Sequence, residues 1–166
     1  AREMEKVVLS RREEVELEEK DPLQLFKELL NIYPTAFVYC WFHPKVGCWL
    51  GATPETLLKV EGNRFNTMAL AGTQKYNGSM DLEWGGKEKQ EQQFVTDSIL
   101  ENLKNSGVEN LEISNPYTAK AGNLLHLRTD ISGRIPNSRT DAQLGVSVGK
   151  LENIISALHP TPAVGG

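Results

Sequence analysis

Residues 35–73 read TAFVYCWFHPKVGCWLGATPETLLKVEGNRFNTMALAGT, and the pattern of this stretch decides the fold class. Its apolar runs are rich in aromatic and β-branched residues, which favour strands. Turn-forming residues separate the runs at 43–47, 53–55 and 61–64. Short connections of this kind join neighbouring antiparallel strands. The stretch therefore predicts an antiparallel meander of roughly four strands.

Helical patterns flank this meander. Asp21 supplies an N-cap, Pro22 suits the first helical position, and apolar residues at helical spacing follow, so 22–32 is predicted to be an amphipathic helix. The remaining elements are predicted to be a strand at 6–16, a mobile loop at 74–86, helices at 87–106 and 141–158, and strands at 109–115 and 123–134. This order indicates an α+β protein with a largely antiparallel sheet flanked by helices.

Composition excludes several classes of protein. The net charge of -4 argues against a nucleic-acid partner, which would favour a basic surface. No apolar run is long enough to cross a membrane, and the first residues lack the apolar core of a signal peptide, so a cytoplasmic protein is expected. Cys40 and Cys48 are too few for a disulfide framework and are expected to be buried free thiols.

Generic catalytic motifs do not decide the function, because the chain has no phosphate-binding glycine loop, Cys-x-x-Cys pair or His-Glu-x-x-His helix. Six short segments in a fixed order are more specific. They are KVVLSR at 6–11, GATPETLL at 51–58, LAGT at 70–73, KEKQEQQFV at 87–95, HLRTDISG at 126–133 and LHPTPAVGG at 158–166. Together they resemble the chorismate-binding enzymes, a family that includes the anthranilate, aminodeoxychorismate, isochorismate and salicylate synthases.

The resemblance covers essentially the whole chain. It implies that residues 1–166 form a partial chorismate-binding domain of the anthranilate synthase component I type, without the family's N-terminal and C-terminal parts. Those parts carry a further metal-binding glutamate and basic residues for the substrate carboxylates. The chain alone is therefore expected to be inactive or nearly so, and its unpaired sheet edges are expected to favour self-association.

Two positions indicate water as the nucleophile. Lys6 occupies the place where water-adding members carry lysine and anthranilate synthases carry glutamine. Ala71 occupies the place where aminodeoxychorismate synthases carry a nucleophilic lysine. The resemblance thus implies an isochorismate synthase, an isomerase that acts in menaquinone or siderophore biosynthesis. A salicylate synthase and a non-catalytic binding or structural module remain alternatives.

The resemblance also assigns roles to individual residues. Lys6 is expected to take a proton from the water that attacks C2 of chorismate, and Glu55 to protonate the hydroxyl that leaves C4. A lysine ordinarily loses its proton near pH ~10.4, so the site has to favour its neutral form. Glu91 is expected to bind Mg²⁺, which prefers oxygen ligands, although Gln92 follows it where the family has histidine. The residues expected to bind chorismate are Gly72, Thr73, His126 and Gly165.

Overall fold

The computed structural model describes residue 7 and residues 9–16, 21–136 and 148–161. Along these ranges four strands follow the first helix and three follow the second, and the strands form two antiparallel sheets. In chain order the elements are α1 (Pro22–Ile32), β1 (Phe37–His43), β2 (Gly47–Thr53), β3 (Lys59–Glu61), β4 (Arg64–Lys75), α2 (Gly86–Asn105), β5 (Glu109–Ile113), β6 (Tyr117–Ala121), β7 (Leu124–Arg134) and α3 (Val148–Leu158).

The smaller sheet is the hairpin of β1 and β2, with α1 packed against it. Phe37 pairs with Thr53 at the open end, and His43 pairs with Gly47 at the turn. Gly47 has a φ of 93°, a conformation that glycine adopts without steric cost. At the start of α1, a side-chain oxygen of Asp21 accepts a hydrogen bond of 3.0 Å from the backbone N–H of Leu23, as expected for an N-cap.

The larger sheet has five strands, and β7 lies at its centre. The strand order is β3-β4-β7-β5, with β6 also paired to β7. On one side β4 follows nearly the whole length of β7, while on the other side β6 pairs with one half of β7 and β5 with the other. At the junction Ser114 bonds both backbone groups of Asp130, so the backbone of β7 stays hydrogen-bonded there.

The main hydrophobic core lies on one face of this sheet. Alternate residues of β4 and β7 point into it, and α2 and α3 cover them. Burying a large apolar side chain contributes about 1.5–3 kcal/mol, so this layer is the main source of stability. The fully buried side chains at its centre include Phe65, Val95, Ile99, Leu103, Ile131, Ile154 and Leu158. The opposite face of the sheet carries Met68 and Leu70 together with polar residues such as His126, Arg128 and Asp130.

The α+β fold with antiparallel sheets and packed helices is confirmed. Helix α1 has the predicted bounds, α2 differs by one residue at each end, and the strands of the meander are antiparallel. The described part of the last predicted helix is α3, and residues 141–147 lie outside the described residues. Within the described ranges, no helix is long and apolar enough to cross a membrane.

Several predictions about the fold are wrong. The meander is not one sheet, because its first two strands form the separate hairpin. Strand β6 was not predicted, since YTAKA has little apolar character and is held by pairing with β7. Residue 7 and residues 9–16 form no strand and are exposed, and no described strand pairs with them. Cys48 is exposed and Cys40 only partly buried, because a two-stranded hairpin has too few neighbours to cover both.

Candidate functional site

A cavity of about 550 Å³ lies between the hairpin sheet and the polar face of the larger sheet. Its walls come from the end of α1, the end of β2, the middle of β4, α2 and the β6–β7 hairpin. Five of the seven predicted site residues line this one cavity: Glu55, Gly72, Thr73, Glu91 and His126. The other two, Lys6 and Gly165, lie outside the described residues.

Gly72 forms a β-bulge that changes which face of β4 points into the cavity. Ala71 pairs with Leu127 and Thr73 pairs with His126, so Gly72 is one extra residue in β4. In an unbroken register Thr73 would face Leu125, whose side chain is buried on the other side of the sheet. Gly72 has a φ of 69°, and a Cβ there would lie 3.2 Å from the Cβ of Glu88 on α2. The glycine therefore permits both the bulge and the close approach of α2.

Thr73 and His126 meet because of this bulge. The Thr73 hydroxyl lies 3.2 Å from Nδ1 of His126, and the backbone oxygen of Gly72 lies 3.2 Å from the same nitrogen. A carbonyl oxygen can only accept, so a hydrogen bond to Gly72 requires a proton on Nδ1. Nε2 is then the acceptor nitrogen of the neutral ring, available to a ligand donor.

Glu55 is held at the end of β2 by Thr53. The Thr53 hydroxyl donates to the carboxylate of Glu55 over 2.9 Å and accepts from its backbone N–H over 3.2 Å. The connection that follows is tied to the larger sheet, since the buried hydroxyl of Thr67 donates to the backbone oxygen of Leu57 over 2.7 Å. The carboxylate of Glu55 is thus oriented where the chain crosses from one sheet to the other.

Glu91 lines the cavity from α2, and its neighbour Gln92 anchors the helix to the sheet. The buried side chain of Gln92 donates from Nε2 to the backbone oxygen of Ala69 over 3.0 Å and to the hydroxyl of Thr129 over 3.1 Å. Its Oε1 atom has no hydrogen-bond partner among the described residues. Gln92 therefore sets the rotation of α2 that directs position 91 toward the cavity.

The described residues offer an incomplete set of ligands for a metal. Among them no group of three or more histidine, cysteine, aspartate or glutamate side chains is close enough to hold an ion. Glu91 alone still fits the chemistry of Mg²⁺, which keeps several waters and binds through one or two carboxylates together with oxygen atoms of a substrate. The donor set thus suits a magnesium ion that is shared with an anionic ligand.

Among the described residues, two cationic side chains also line the cavity and were not singled out from the sequence. Lys120 lies in β6, and its Nζ is 3.7 Å from the centre of the Tyr76 ring. Arg128 lies in β7, two residues after His126 and on the same face of the sheet. Alternation along the HLRT segment could have identified Arg128, because residues two apart in a strand share a face.

A second cavity of about 540 Å³ lies farther along the polar face of the larger sheet, and none of the five predicted site residues that the structure describes lines it. Its four charged residues are all held in ion pairs: Arg128 contacts Asp130 at 2.7 Å within the cavity, while Glu112 contacts Arg64 at 3.0 Å and Lys59 contacts Glu61 at 3.1 Å outside it. Mutually neutralised groups offer little net charge to a ligand. The first cavity is therefore the better candidate.

Comparison with known proteins identifies a family for the chain. A model of the family described as chorismate binding enzyme matches residues 1–166. The salicylate biosynthesis isochorismate synthase of Pseudomonas aeruginosa is 31% identical over 170 residues, which cover 97% of this chain and 33% of that protein. Isochorismate synthase EntC of Escherichia coli is 30% identical over 172 residues, which cover 98% of this chain and 41% of that protein.

A solved structure supports the same fold. The crystal structure of DhbC from Bacillus anthracis aligns with a TM-score of 0.71 and 23% sequence identity, over 87% of this chain and 39% of that one. At this identity the likeness shows the fold alone. The chain spans about a third and about two fifths of the length of the two isochorismate synthases described above.

Proposed function

The chain belongs to the chorismate-binding enzyme family, and we propose that the protein containing it is a Mg²⁺-dependent isochorismate synthase. In this reaction one water molecule adds at C2 of chorismate, and the hydroxyl at C4 leaves as another water molecule. The product is an isomer of the substrate, so no oxidant or second substrate is needed. The two curated relatives described above are both named isochorismate synthases.

One observation carries the proposal: residues from four separate motifs line a single cavity. Glu55, Gly72, Thr73, Glu91 and His126 come from β2–β3, β4, α2 and β7 and border the same space. A volume of about 550 Å³ falls within the usual range of about 300–1,000 Å³ for small-molecule sites. This convergence supports a single binding site for one small substrate.

Glu55 is proposed to protonate the C4 hydroxyl as it leaves. Its hydrogen bond from Thr53 holds the carboxyl group in one orientation, which favours proton transfer along a fixed direction. Lys6 is proposed to take the proton from the attacking water. Its motif position is the feature that favours water over ammonia, because anthranilate synthases carry glutamine there.

Glu91 is proposed to hold the magnesium ion, whose role is to neutralise a carboxylate of the substrate. The hydrogen bonds of Gln92 to β4 and β7 keep this part of α2 in place. Thr73 and His126 are proposed to bind substrate oxygens, His126 through the nitrogen that does not contact Gly72. Gly72 contributes by its lack of a side chain, which leaves room for α2 and the ligand.

Product analysis with purified protein, chorismate and Mg²⁺ tests the proposal. We expect isochorismate as the product, and a loss of about 100-fold or more in kcat for Glu55→Gln, since an acid catalyst contributes about 10²–10⁴-fold. Glu101→Gln, on an exposed position of α2, is the matched control and should leave the rate unchanged. Glu91→Gln should raise the Mg²⁺ concentration required for half-maximal activity.

The alternatives predict other products. Release of pyruvate together with salicylate would identify a salicylate synthase, and a coupled assay for pyruvate detects it directly. Chorismate binding without conversion would favour the non-catalytic module. Neither result is compatible with an isochorismate synthase.

A further inference from the structure

The two cysteines of the chain lie on the same face of the hairpin of β1 and β2. Cys40 pairs across the hairpin with Leu50. Cys48 pairs with Phe42, so the two cysteines are diagonal neighbours. Residues two apart in a strand share a face, which places both thiols on one side of the hairpin. Both thiols are free, Cys48 is exposed and Cys40 is partly buried, and neither lines a cavity described above.

The two thiols interact with each other and with a nearby carboxylate. Partial burial raises the pKa of Cys40 above its ordinary value of 9.0, and the hydrogen bond and the negative charge of Cys48 raise it further. The negative charge of Asp21, the N-cap of α1, acts in the same direction. Surroundings that keep a proton on Cys40 also favour a metal cation in its place, because both neutralise the same negative charge.

The diagonal spacing of the cysteines suits a bridging ion better than a disulfide. Diagonal neighbours on antiparallel strands have Cα atoms about 7–8 Å apart, whereas disulfides usually join Cα atoms about 4.4–6.8 Å apart. A disulfide holds its sulfur atoms about 2.05 Å apart, while an ion with two metal–sulfur bonds of about 2.3 Å spans up to about 4.6 Å. The two thiols therefore need less backbone movement to hold an ion than to form a covalent bond.

The hairpin offers such an ion two sulfur ligands. His43 follows Cys40 by three residues, an odd number, so its side chain lies on the opposite face of the hairpin. Among the described residues, no group of three or more histidine, cysteine, aspartate or glutamate side chains is close enough to hold an ion. Structural zinc sites use four ligands, whereas monovalent copper is a soft ion that favours thiolates and accepts two of them.

We propose that Cys40 and Cys48 form a two-coordinate binding site for monovalent copper. On binding, each thiol gives its proton to solvent and each sulfur forms one bond to Cu⁺, so two protons leave for each ion bound. The exposed Cys48 meets the ion first, and Cys40 completes the pair. The inference goes beyond the proposed function and is independent of it, because neither thiol borders the cavity assigned to chorismate.

Titration with Cu⁺ tests the inference. The reduced protein that contains this chain is titrated without oxygen, in competition with a chromophoric copper chelator. We expect the wild type to bind about one Cu⁺ per chain more than Cys40→Ser or Cys48→Ser, since each substitution removes one of the two ligands. His43→Gln is the matched control and should bind as much Cu⁺ as the wild type, because His43 lies on the opposite face.

Thermal unfolding of each variant without copper verifies that the fold is retained. Equal copper binding by the wild type and either cysteine variant would overturn the inference. Loss of the ion in His43→Gln would also overturn it, because the site would then have a third ligand. The same holds if an equal concentration of Zn²⁺ displaces Cu⁺ from the wild type, since a site with two sulfur ligands should not favour a four-coordinate ion.

Discussion

At Gly72 a single backbone conformation determines which side chains face the cavity. Its positive φ creates the bulge, the bulge shifts the register by one residue, and the shift brings Thr73 beside His126. The sequence resemblance predicted all three residues as substrate-binding, but it could not predict the bulge. A register depends on pairing between distant strands, and local sequence carries little information about that pairing.

Substitution of Gly72 should cost more than substitution of a comparable glycine in a turn. Gly62 has a similar φ of 62°, but a Cβ there meets nothing within 4 Å, whereas at Gly72 it meets Glu88 at 3.2 Å. We expect Gly62→Ala to lower the free energy of unfolding by ~1 kcal/mol from backbone strain, and Gly72→Ala by ~2 kcal/mol or more. Urea denaturation of both variants measures this. Equal losses would mean that the approach of α2 at Gly72 is not tight.

The phenol of Tyr117 should lose its proton at a higher pH than an ordinary tyrosine, because its pKa is raised. Partial burial raises its pKa above the ordinary 10.0, and the hydrogen bond to Asp130 raises it further, while Arg128 opposes them. A raised pKa in the folded state favours the neutral phenol. Its contribution to stability is therefore fully present below pH ~10 and is lost as the pH rises through the folded-state value.

Ultraviolet absorbance during alkaline titration detects this phenol, and the difference between wild type and Tyr117→Phe isolates it. Asp130→Ala removes the acceptor and should shift the titration of Tyr117 to lower pH. A phenol that titrates at the same or higher pH in Asp130→Ala would show that Asp130 does not accept its hydrogen bond.

At the level of elements, both turns that define the larger sheet have the same dipeptide. Gly62-Asn63 joins β3 to β4 and Gly122-Asn123 joins β6 to β7, and both glycines have positive φ, at 62° and 59°. Two-residue loops of this kind are typical of hairpins. The first turn was predicted, because branched and aromatic residues surround it. The second was missed, although the same signal was present, because the flanking YTAKA has weak strand propensity.

Phe65 and Gly133 form a cross-strand pair in which the aromatic ring packs directly over the glycine, between β4 and β7. They are direct partners in the register, and a Cβ on Gly133 would lie 2.7 Å from the ring of Phe65 and 3.1 Å from the backbone oxygen of Glu109. Since Phe65 is completely buried, its ring has little room to move. The pair requires a glycine opposite the aromatic ring.

Gly133→Ala should therefore destabilise the sheet. We expect a loss of about 1–3 kcal/mol in the free energy of unfolding, the range for an overpacked core. In a double-mutant cycle with Phe65→Leu, the smaller side chain should reduce the cost of the added methyl group by at least ~0.5 kcal/mol. Strictly additive losses would show that the clash lies with the Glu109 backbone instead.

For the whole molecule, the fold class could be predicted from the periodicity of the sequence. The cavity could not, because it depends on how the two sheets are arranged. The strands around residues 37–73 were predicted as one meander, and nothing in their sequence indicates that the chain crosses between sheets after Thr53. That crossing brings Glu55 into the lining of the same cavity as His126. Residues that converge from separate motifs were identified by family resemblance, whereas Arg128, with its hydrogen bonds to Asp130, required the structure.

The most direct test of the account is the origin of the new hydroxyl group. The protein that contains this chain is incubated with chorismate and Mg²⁺ in oxygen-18-labelled water, and the product is analysed by mass spectrometry at early times. Activation of water by Lys6 and loss of the C4 hydroxyl predict isochorismate with one labelled oxygen at C2. Isochorismate without label would contradict the account, because the oxygen would then have come from the substrate itself.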